Sequence, residues 1–290
     1  MGNKKGTPLV TVVVTTYNRK ELLKETIDSI LNQTYTNFEL IVVDNFSNYD
    51  FLKHVKSFED KRIIAFQNQN NGIIAVNRNF GIKRANGDYI AFCDDDDLWL
   101  PNKLETQIRN FDKSLVGVGT EINLINISSA IVERRQGAKN MLLSFVDIIQ
   151  FRSLPLSSLL IRNIGVLFDE SKSLIAVEDF DFQLQLTLKS NNPILKLRTA
   201  LVNYRIDTQN RNSGLQQKKN SLLIIKRYEN YLSTSIKRSI YQWGFYRIGK
   251  IESLKRNYRS ARSYFFMSIK MVSLKNSKLL KSFMGLILST

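Results

Sequence analysis

The stretch YIAFCDDDD, residues 89–97, joins an apolar run directly to four consecutive carboxylates. Apolar runs of this kind form buried strands, and adjacent carboxylates repel one another, so the end of the strand requires a positive partner. A divalent cation is the simplest candidate, because Mg²⁺ or Mn²⁺ binds one or two carboxylates and completes its shell with water and substrate phosphates. The alternative is a solvated acidic turn. Ligands of open α/β sheets gather outside the carboxyl ends of the strands, so this setting favours a binding site.

The segments on both sides alternate between strand and helix patterns. Runs rich in β-branched and aliphatic residues predict strands at 10–15, 38–43, 62–66, 89–93, 116–122, 156–161 and 194–204. Apolar residues at helical spacing predict helices at 22–31, 49–58, 73–84, 101–112 and 179–188. This alternation implies an α/β fold with a parallel sheet covered on both sides. Residues 123–156 show little periodicity, and we expect there a mobile loop or insertion beside the site, with a candidate helix at 140–151.

The net charge of +16 is distributed unevenly along the chain. Residues 216–290 hold 16 of the 42 lysines and arginines but only Glu229 and Glu252 of the 26 acidic residues, whereas residues 1–215 are nearly neutral. We therefore expect two domains, an α/β domain at 1–215 and a basic helical unit at 216–290. The basic unit is expected to meet a polyanion, either an anionic membrane surface or nucleic acid.

Basic and apolar residues interleave through the C-terminal segment, as in IGKIESLKR at 248–256 and RSYFFMSIK at 262–270. This pattern is typical of amphipathic helices that lie on an anionic membrane, and we favour that interpretation. The alternative is a helical subdomain that packs its apolar face on the α/β domain and leaves its charges solvated.

Other sequence features limit the compartment and the chemistry. The single cysteine, Cys93, excludes an internal disulfide framework and fits a reducing compartment. The N-terminus has no apolar core of a signal peptide, and no apolar stretch reaches the ~20 residues of a membrane span. We expect a cytoplasmic protein. The only histidine, His54, lies in a predicted helix away from the polar strand ends, which excludes histidine-based catalysis and a histidine-rich zinc site.

Several short motifs occur in a fixed order along residues 8–206. They are VVVTTYNR at 12–19, SILNQTY at 29–35, LIVVDN at 40–45, NG at 71–72, NRN at 77–79, GDYIAFCDDDDLWLP at 87–101 and VEDFDF at 177–182. In this order they resemble the inverting, metal-dependent glycosyltransferases of family 2. The resemblance implies the GT-A nucleotide-sugar-binding fold, a Rossmann-like, mostly parallel mixed sheet flanked by helices, here followed by the C-terminal helical basic extension.

The resemblance assigns the ends of the first two strands to the nucleotide. Thr15 and Tyr17 would meet the base through hydroxyl contacts and stacking, although simple packing at a strand end is the alternative. Asp44 and Asn45 occupy positions where the family has two aspartates that touch uridine. Because the amide of Asn45 also donates a hydrogen bond, the identity of the base stays open, with UDP as the expected nucleotide.

The resemblance also assigns residues that surround the diphosphate. Asn71 and Gly72 would line the nucleotide side, and Arg78 would contact the diphosphate. A surface helix charge is the alternative for Arg78. Asp95 would contact ribose or the sugar. Trp99 would either stack on a sugar face or anchor the core.

The metal and the catalytic base follow from two acidic motifs. By the family's Asp-x-Asp pattern, Asp94 and Asp96 form the pair that binds Mn²⁺ or Mg²⁺. Asp179 matches the position of the base that takes a proton from the acceptor hydroxyl, with Glu178 as its orienting partner or rival. Helix capping and favourable dipole interactions are the alternative for these two acids. Many relatives carry a histidine where this chain has Asp207, so either Asp207 serves the metal or the site depends on the earlier carboxylates and Arg205.

The expected activity is transfer of a sugar from a nucleotide-sugar to a hydroxyl of a saccharide acceptor, plausibly lipid-linked, in the assembly of a cell-surface polysaccharide or glycan. We expect the protein to lie on the inner face of the membrane. The main alternative is a nucleic-acid-binding protein that uses the basic helices, but no recognised nucleic-acid motif is present. A nucleotidyltransferase would require a glycine-rich loop after the first strand, and TTYNR at 15–19 has no glycine. The intact acidic motifs argue against a module that binds without catalysis.

Overall fold

The computed structural model describes residues 7–206 and 222–271. The chain divides into two compact units, Met1–Thr208 and Gln209–Thr290. The domain boundary expected after residue 215 falls within 207–221, outside the described residues, and stays an expectation. The two units are described separately below.

The first unit contains a ten-stranded mixed sheet, counted over the described residues. The strands are β1 (Val10–Thr16), β2 (Phe38–Asp44), β3 (Ile63–Gln67), β4 (Tyr89–Asp94), β5 (Leu98–Trp99), β6 (Gly117–Ile125), β7 (Ile131–Glu133), β8 (Met141–Leu143), β9 (Leu160–Arg162) and β10 (Ile194–Arg205). Their order is β3-β2-β1-β4-β9-β6-β10-β5, with β7 beside β6 and β8 beside β10. The pairs among β3, β2, β1 and β4 are parallel, as is β6 with β10, whereas β5, β7, β8 and β9 pair antiparallel.

Helices connect the strands of this unit. They are α1 (Lys20–Leu31), α2 (Phe51–Lys56), α3 (Ile74–Ile82), α4 (Lys103–Arg109), α5 (Phe145–Asp147) and α6 (Glu178–Ser190). Alternate residues of β1 face opposite sides of the sheet. Val12 joins a buried cluster that includes Leu23 and Ile27 of α1. Val13 meets Gly81 of α3 so closely that a Cβ on Gly81 would lie 2.5 Å from a Val13 methyl carbon. Both faces of the sheet are therefore covered, as predicted.

The register brings the polar strand ends together. Thr15 pairs with Asp94 across β1 and β4, and Thr16 pairs with Asp44 across β1 and β2. Because these neighbouring strands are parallel, their carboxyl ends meet at one edge of the sheet. The acidic turn after β4 therefore lies beside the loop that follows β1.

Two predicted segments differ from the structure. Residues 123–156 were expected to be irregular, but β6 continues to Ile125, and β7, β8 and α5 follow. The predicted helix at 140–151 is wrong in its first part, because residues 141–143 pair with β10 as β8. The strand predicted at 156–161 begins with a 3₁₀ turn at Leu156–Ser158, and only Leu160–Arg162 form β9.

The described part of the second unit is helical. Residues 222–227 form a helical segment, and α7 (Thr234–Leu254) and α8 (Tyr258–Lys270) form an antiparallel pair. A Cβ on Gly249 would lie 2.8 Å from the ring of Phe265, so glycine permits the close approach of the two helices. The predicted helical extension is confirmed for the described residues. None of the helices described here is long and apolar enough to cross a membrane.

Lys103 is fully buried in the first unit, where its Nζ donates to Gln107 Oε1 (2.9 Å) and lies 3.7 Å from the centroid of the Trp99 ring. Burial lowers the pKa of Lys103 to about 7 from an ordinary 10.5. Between these values the unfolded chain binds a proton that the folded chain does not, so the free energy of unfolding should rise with pH. We expect Lys103→Met to lose this rise between about pH 7 and pH 10. Urea titrations at several pH values in this range would measure the free energy of unfolding of the wild type and of the variant.

Lys83→Met removes one positive charge at an exposed position and is the control. An identical pH dependence of unfolding in Lys103→Met and in Lys83→Met would contradict a buried neutral lysine.

Candidate active site

The acidic turn between β4 and β5 is held by hydrogen bonds from three other parts of the chain. The backbone N–H of Asp94 donates to Ser157 Oγ (3.0 Å). Thr26 Oγ1 donates to the carbonyl oxygen of Asp97 (2.9 Å), and the backbone N–H of Arg205 donates to Asp97 Oδ1 (2.9 Å). These contacts fix the backbone of the turn, so its carboxylates project from a rigid edge of the sheet.

Two arginines pair with the carboxylates of this turn. Arg19 Nη1 lies 2.9 Å from both Asp95 Oδ1 and Asp96 Oδ2. Arg78 Nη2 lies 2.9 Å from Asp94 Oδ1, and its Nη1 lies 2.9 Å from Glu178 Oε1. Arg78 is buried on α3, so it is not an exposed helix charge. The positive partner that the four aspartates require is thus supplied in part by the chain itself.

Asp94 and Asp96 fit a divalent cation. Both side chains stay partly accessible, at 32% and 26%, and offer the hard oxygen atoms that Mg²⁺ and Mn²⁺ prefer. Burial, followed by repulsion from Asp94 and Asp95, raises the pKa of Asp96 to about 6, which marks excess negative charge that a cation would relieve. No group of three or more histidine, cysteine or acidic side chains within 7–206 and 222–271 could hold a metal alone. A metal here would therefore share its shell with water or a ligand.

Two adjacent cavities open where β1 and β2 end. One, of about 320 Å³, is lined by Thr15, Thr16, Tyr17, Arg19, Asn45, Asn70, Gly72, Ile74 and Asp95. The other, of about 360 Å³, is lined by Tyr17, Asn45, Phe46, Gln69 and Asn71. Tyr17 is 53% exposed and borders both, so its ring is available for stacking. Most of the residues expected to meet a nucleotide thus line these two cavities, whereas Asp44 and Arg78 line neither.

Asp44 differs from its neighbours because it does not line either cavity. It is fully buried and accepts hydrogen bonds from the backbone N–H of Ser47 (2.9 Å) and from Gln67 Nε2 (3.0 Å). Its neighbour Asn45 lies on the wall, where Oδ1 accepts from the backbone N–H of Asn70 (2.9 Å). Asp44 therefore shapes the loop that presents Asn45.

The segment after β3 supplies the opposite wall. Asn71 and Gly72 both have positive φ, 52° and 79°. The backbone N–H of Gly72 donates to Asn70 Oδ1 (2.9 Å), which closes a tight turn. Glycine adopts this conformation without steric cost, and asparagine tolerates it.

Glu178 and Asp179 begin α6 beside the acidic turn. Glu178 Oε1 accepts from Arg78, and its Oε2 is buried without a hydrogen-bond partner among the described residues. Asp179 Oδ1 accepts from the backbone N–H of Phe180 (2.8 Å). Burial, followed by repulsion from Glu178, raises the pKa of Asp179 to about 6. Helix α6 has no side-chain cap hydrogen bond: Asp179 accepts from the N–H of the next residue, and Glu178 pairs with Arg78.

The structure defines the positions of two other candidates, Trp99 and His54. Trp99 is buried, and its Nε1 donates to the carbonyl oxygen of Ser157 (3.0 Å), so it anchors the core. His54 lies on α2 in edge-to-face contact with Tyr49 and Phe58 and is structural. Asp207 lies outside the described residues.

Sequence reasoning missed four residues that touch the acidic turn, namely Thr16, Arg19, Thr26 and Ser157. Thr16 Oγ1 donates to Asp95 Oδ2 (2.7 Å), and Arg19 bridges two of the aspartates. Thr16 ends β1 and Arg19 lies shortly after it, and β1 is adjacent to β4, so the adjacency of parallel strands could have identified both. Ser157 lies in a 3₁₀ turn 63 residues beyond Asp94. No pattern in the sequence points to it.

The chain was compared with known families and proteins. Residues 11–163 match the family model described as "Glycosyl transferase family 2". One relative is the Escherichia coli protein WfgD, named UDP-Glc:alpha-D-GlcNAc-diphosphoundecaprenol beta-1,3-glucosyltransferase. It is 41% identical over 100 residues, which are 34% of this chain and 40% of that protein. The chain spans between 15% and 66% of the length of the four curated relatives at the head of the comparison.

The solved structures that resemble this chain cover more of it than the sequence match to WfgD does. A Staphylococcus aureus TarS fragment in complex with UDP-GlcNAc matches with a TM-score of 0.66 at 20% identity, covering 97% of this chain and 88% of that one. The Pyrobaculum calidifontis mannosyltransferase PcManGT, in complex with GDP-Man and Mn²⁺, matches with a TM-score of 0.65 at 15% identity, covering 98% and 81%. At such identities the likeness shows the fold alone. The predicted GT-A fold is confirmed.

Proposed function

Because the chain belongs to glycosyl transferase family 2, we propose that it is a metal-dependent, inverting hexosyltransferase. Its donor is a UDP-sugar, and its acceptor is a hydroxyl of a lipid-linked saccharide in polysaccharide or glycan assembly. The UDP assignment is supported by the name of the E. coli relative and by the UDP-GlcNAc in the TarS structure. The cavities bordered by Tyr17 and Asn45 would hold the nucleotide.

One observation carries this proposal. Arg78 bridges Asp94 and Glu178 through two 2.9 Å ion pairs, and thereby joins the acidic turn to the first turn of α6. A buried guanidinium held by two carboxylates has a fixed position. The candidate metal pair and the candidate base, which are far apart in sequence, therefore belong to one site.

We assign the metal to Asp94 and Asp96 and the ribose or sugar contact to Asp95. When bound, Mn²⁺ or Mg²⁺ supplies positive charge that compensates the diphosphate as it departs. Arg78 is a proposed contact of the same diphosphate, since a guanidinium matches phosphate oxygens and its position beside Asp94 is fixed. Thr16 and Arg19 hold Asp95 in place through 2.7 Å and 2.9 Å hydrogen bonds.

Asp179 would be the general base. As the acceptor oxygen forms its bond to the anomeric carbon, its proton passes to the Asp179 carboxylate, and the bond to the diphosphate breaks with its electron pair. A single displacement of this kind inverts the anomeric configuration. Glu178 keeps Arg78 in place and keeps negative charge beside Asp179, which sustains the raised pKa of that base.

The membrane proposal rests on the C-terminal unit. Within the described helices, Trp243 and Phe266 are 47% and 58% exposed, and exposed basic residues such as Arg262 accompany them. Exposed aromatic and cationic side chains on one helical unit suit an anionic lipid surface. We propose that residues 216–290 hold the enzyme on the inner face of the membrane. Residues 216–221 and 272–290 of this segment lie outside the described residues.

The first test is thermal stabilisation by UDP, GDP, dTDP and CMP, each with and without Mn²⁺ or Mg²⁺. A ligand at 100 times its Kd should add about 2.7 kcal/mol of stability. We expect UDP to stabilise the wild type only with metal, and Asp96→Asn to abolish the effect. Asp50→Asn, which alters the capping residue of α2, is the matched control and should respond as the wild type does. Stabilisation by short DNA or RNA instead of any nucleotide would contradict the transferase proposal.

A further inference from the structure

The hairpin formed by β6 and β7 carries exposed branched aliphatic side chains. Ile127 in its turn is 64% exposed, and Ile131 and Val132 on β7 are 42% and 55% exposed. Among the described strands, β7 pairs only with β6, so it is an edge. Edge strands with exposed apolar residues are rare in proteins that meet only water, and they mark surfaces that contact another phase or partner.

The exposure does not come from a loose loop, because the turn is held by several hydrogen bonds. Arg205 Nη1 donates to the carbonyl oxygens of Asn126 (3.1 Å) and Ile127 (2.7 Å) and to Ser129 Oγ (3.0 Å). Ser129 Oγ in turn donates to Glu25 Oε2 (2.8 Å). The backbone at Ile127 is therefore fixed while its side chain stays in solvent.

The same guanidinium places this hairpin beside the acidic turn. Arg205 Nε donates to the carbonyl oxygen of Asp96 (2.7 Å), so one side chain contacts both the candidate metal ligand and the hairpin turn. The turn that carries Ile127 is thus joined through the Arg205 guanidinium to Asp96, beside which the donor would react. A surface at this place can present an acceptor to the reaction.

Charge around the hairpin favours an anionic partner. The segment 131–140 contains Arg134, Arg135 and Lys139 but only one acid, Glu133. Arg135 pairs with Glu133 (2.8 Å), whereas Arg134 and Lys139 are exposed and form no ion pair within the described part of the chain. Apolar side chains flanked by unpaired cations match a membrane interface that contains anionic headgroups.

We infer that the β6–β7 hairpin docks on the anionic membrane surface and thereby admits the lipid-linked acceptor to the site. This inference rests on the proposed function and deepens it, because it assigns acceptor delivery to Ile127, Ile131 and Val132. The C-terminal helices would hold the protein on the membrane, whereas the hairpin would bring the reacting edge to the lipid.

A fluorescent probe tests the docking without any need for activity. Val132→Cys can be labelled selectively with an environment-sensitive dye, because the only native cysteine, Cys93, is buried. We expect a blue shift on phosphatidylcholine vesicles that contain phosphatidylglycerol, and none on vesicles of phosphatidylcholine alone. Leu52→Cys, at an exposed leucine of α2, is the matched control and should not shift. No shift at 132, or a shift that follows protein concentration without vesicles and so reports a second copy on the edge strand, overturns the inference.

Activity on two acceptors gives the second readout. The triple variant Ile127→Ser, Ile131→Ser, Val132→Ser should lose about tenfold in kcat/KM on the lipid-linked acceptor in vesicles, through a higher KM. Transfer to a water-soluble acceptor with the same sugar, and metal-dependent UDP binding, should match the Leu52→Ser control. An equal loss on both acceptors overturns the inference. Absence of UDP binding in the wild type would instead reject the proposed function, and the probe would still decide the docking.

Discussion

Replacing Asp179 with asparagine is expected to lower kcat about 1,000-fold, since a positioned general base contributes roughly 10²–10⁴-fold to a rate. The amide keeps the shape of the carboxyl group and can still accept the hydrogen bond from the N–H of Phe180, so α6 should stay folded. UDP binding with metal should be retained, because Asp94 and Asp96 are unchanged. Steady-state kinetics and nucleotide-dependent thermal stabilisation, measured on the same preparation, would check both parts.

The pH profile gives an independent measure of the same group. A pKa of about 6 for Asp179 means that the carboxyl group is protonated below that pH and cannot accept the acceptor's proton. The wild-type kcat/KM at saturating metal should therefore fall about tenfold per pH unit below pH 6 and level off above it, and Asp179→Asn should lose this dependence.

Asp181→Asn is the matched control, because Asp181 lies in the same first turn of α6 and is fully buried. If the acids of this turn serve only the helix dipole, both variants should lose stability and neither should lose kcat selectively. A similar fall in kcat for Asp179→Asn and Asp181→Asn would count against Asp179 as the base.

The sequence predicted the first hundred residues well for a physical reason. The strands β1, β2 and β4 are buried on both faces, so each appears as a largely apolar run, whereas β3 at the end of the strand order is only partly buried. Helix α1 buries one stripe, formed by Leu23, Thr26, Ile27 and Ile30, and so shows helical spacing in the sequence. Parallel neighbouring strands joined by helices have their carboxyl ends at the same edge of the sheet. Thr15 and Asp94, which lie at the ends of β1 and β4, are therefore paired at that edge.

The predicted strands at 116–122 and 194–204 correspond to β6 and β10, but β5, β7 and β8 escaped prediction and β9 was placed too early, because these strands are short and depend on distant partners. β7 and β9 have three residues each, too few to show a period of two, and β9 is inserted between β4 and β6 by antiparallel pairing. Such pairing is fixed by tertiary contacts and not by local propensity. The position of the 3₁₀ turn that carries Ser157 also depends on tertiary contacts. The spacing of residues along the sequence therefore could not predict the contact between Ser157 and Asp94.

The sequence analysis assigned roles to the acidic residues of the candidate site and to Arg78, and it named Arg205 as a possible part of the site, but it gave no role to Arg19 and did not foresee which carboxylates the arginines pair with. Carboxylates in a row are a local signal, whereas their neutralisation depends on which arginines the fold brings near. The pairing of Arg19 with Asp95 and Asp96 crosses more than seventy residues, and that of Arg78 with Glu178 crosses one hundred. The roles of all these residues in catalysis stay proposals.

Replacing Arg205 with lysine is expected to destabilise the protein by about 1–3 kcal/mol, the usual cost of leaving a buried hydrogen-bond acceptor without its donor. The guanidinium is 2% exposed and forms hydrogen bonds with Asp96, Asn126, Ile127, Ser129 and Glu25. A lysine ammonium has three donors in another geometry and cannot reproduce the planar fork. Because Arg205 Nε holds the carbonyl oxygen of Asp96, we also expect metal-dependent stabilisation by UDP to weaken at least about tenfold in apparent Kd.

Arg162→Lys separates loss of fold from loss of positioning. Arg162 Nη2 also donates to backbone carbonyls, those of Asp112 and Leu115, and its guanidinium lies 5.8 Å from the ring centroid of Tyr89, at the opposite end of β4 from the acidic turn. Its lysine variant should lose stability and keep the wild-type response to UDP and metal. If Arg205→Lys also kept that response at a temperature where it remains folded, Arg205 would be a structural residue only. A selective loss in Arg205→Lys would instead identify Arg205 as the residue that positions Asp96, since the two substitutions remove the same chemical group and differ only in what that group touches.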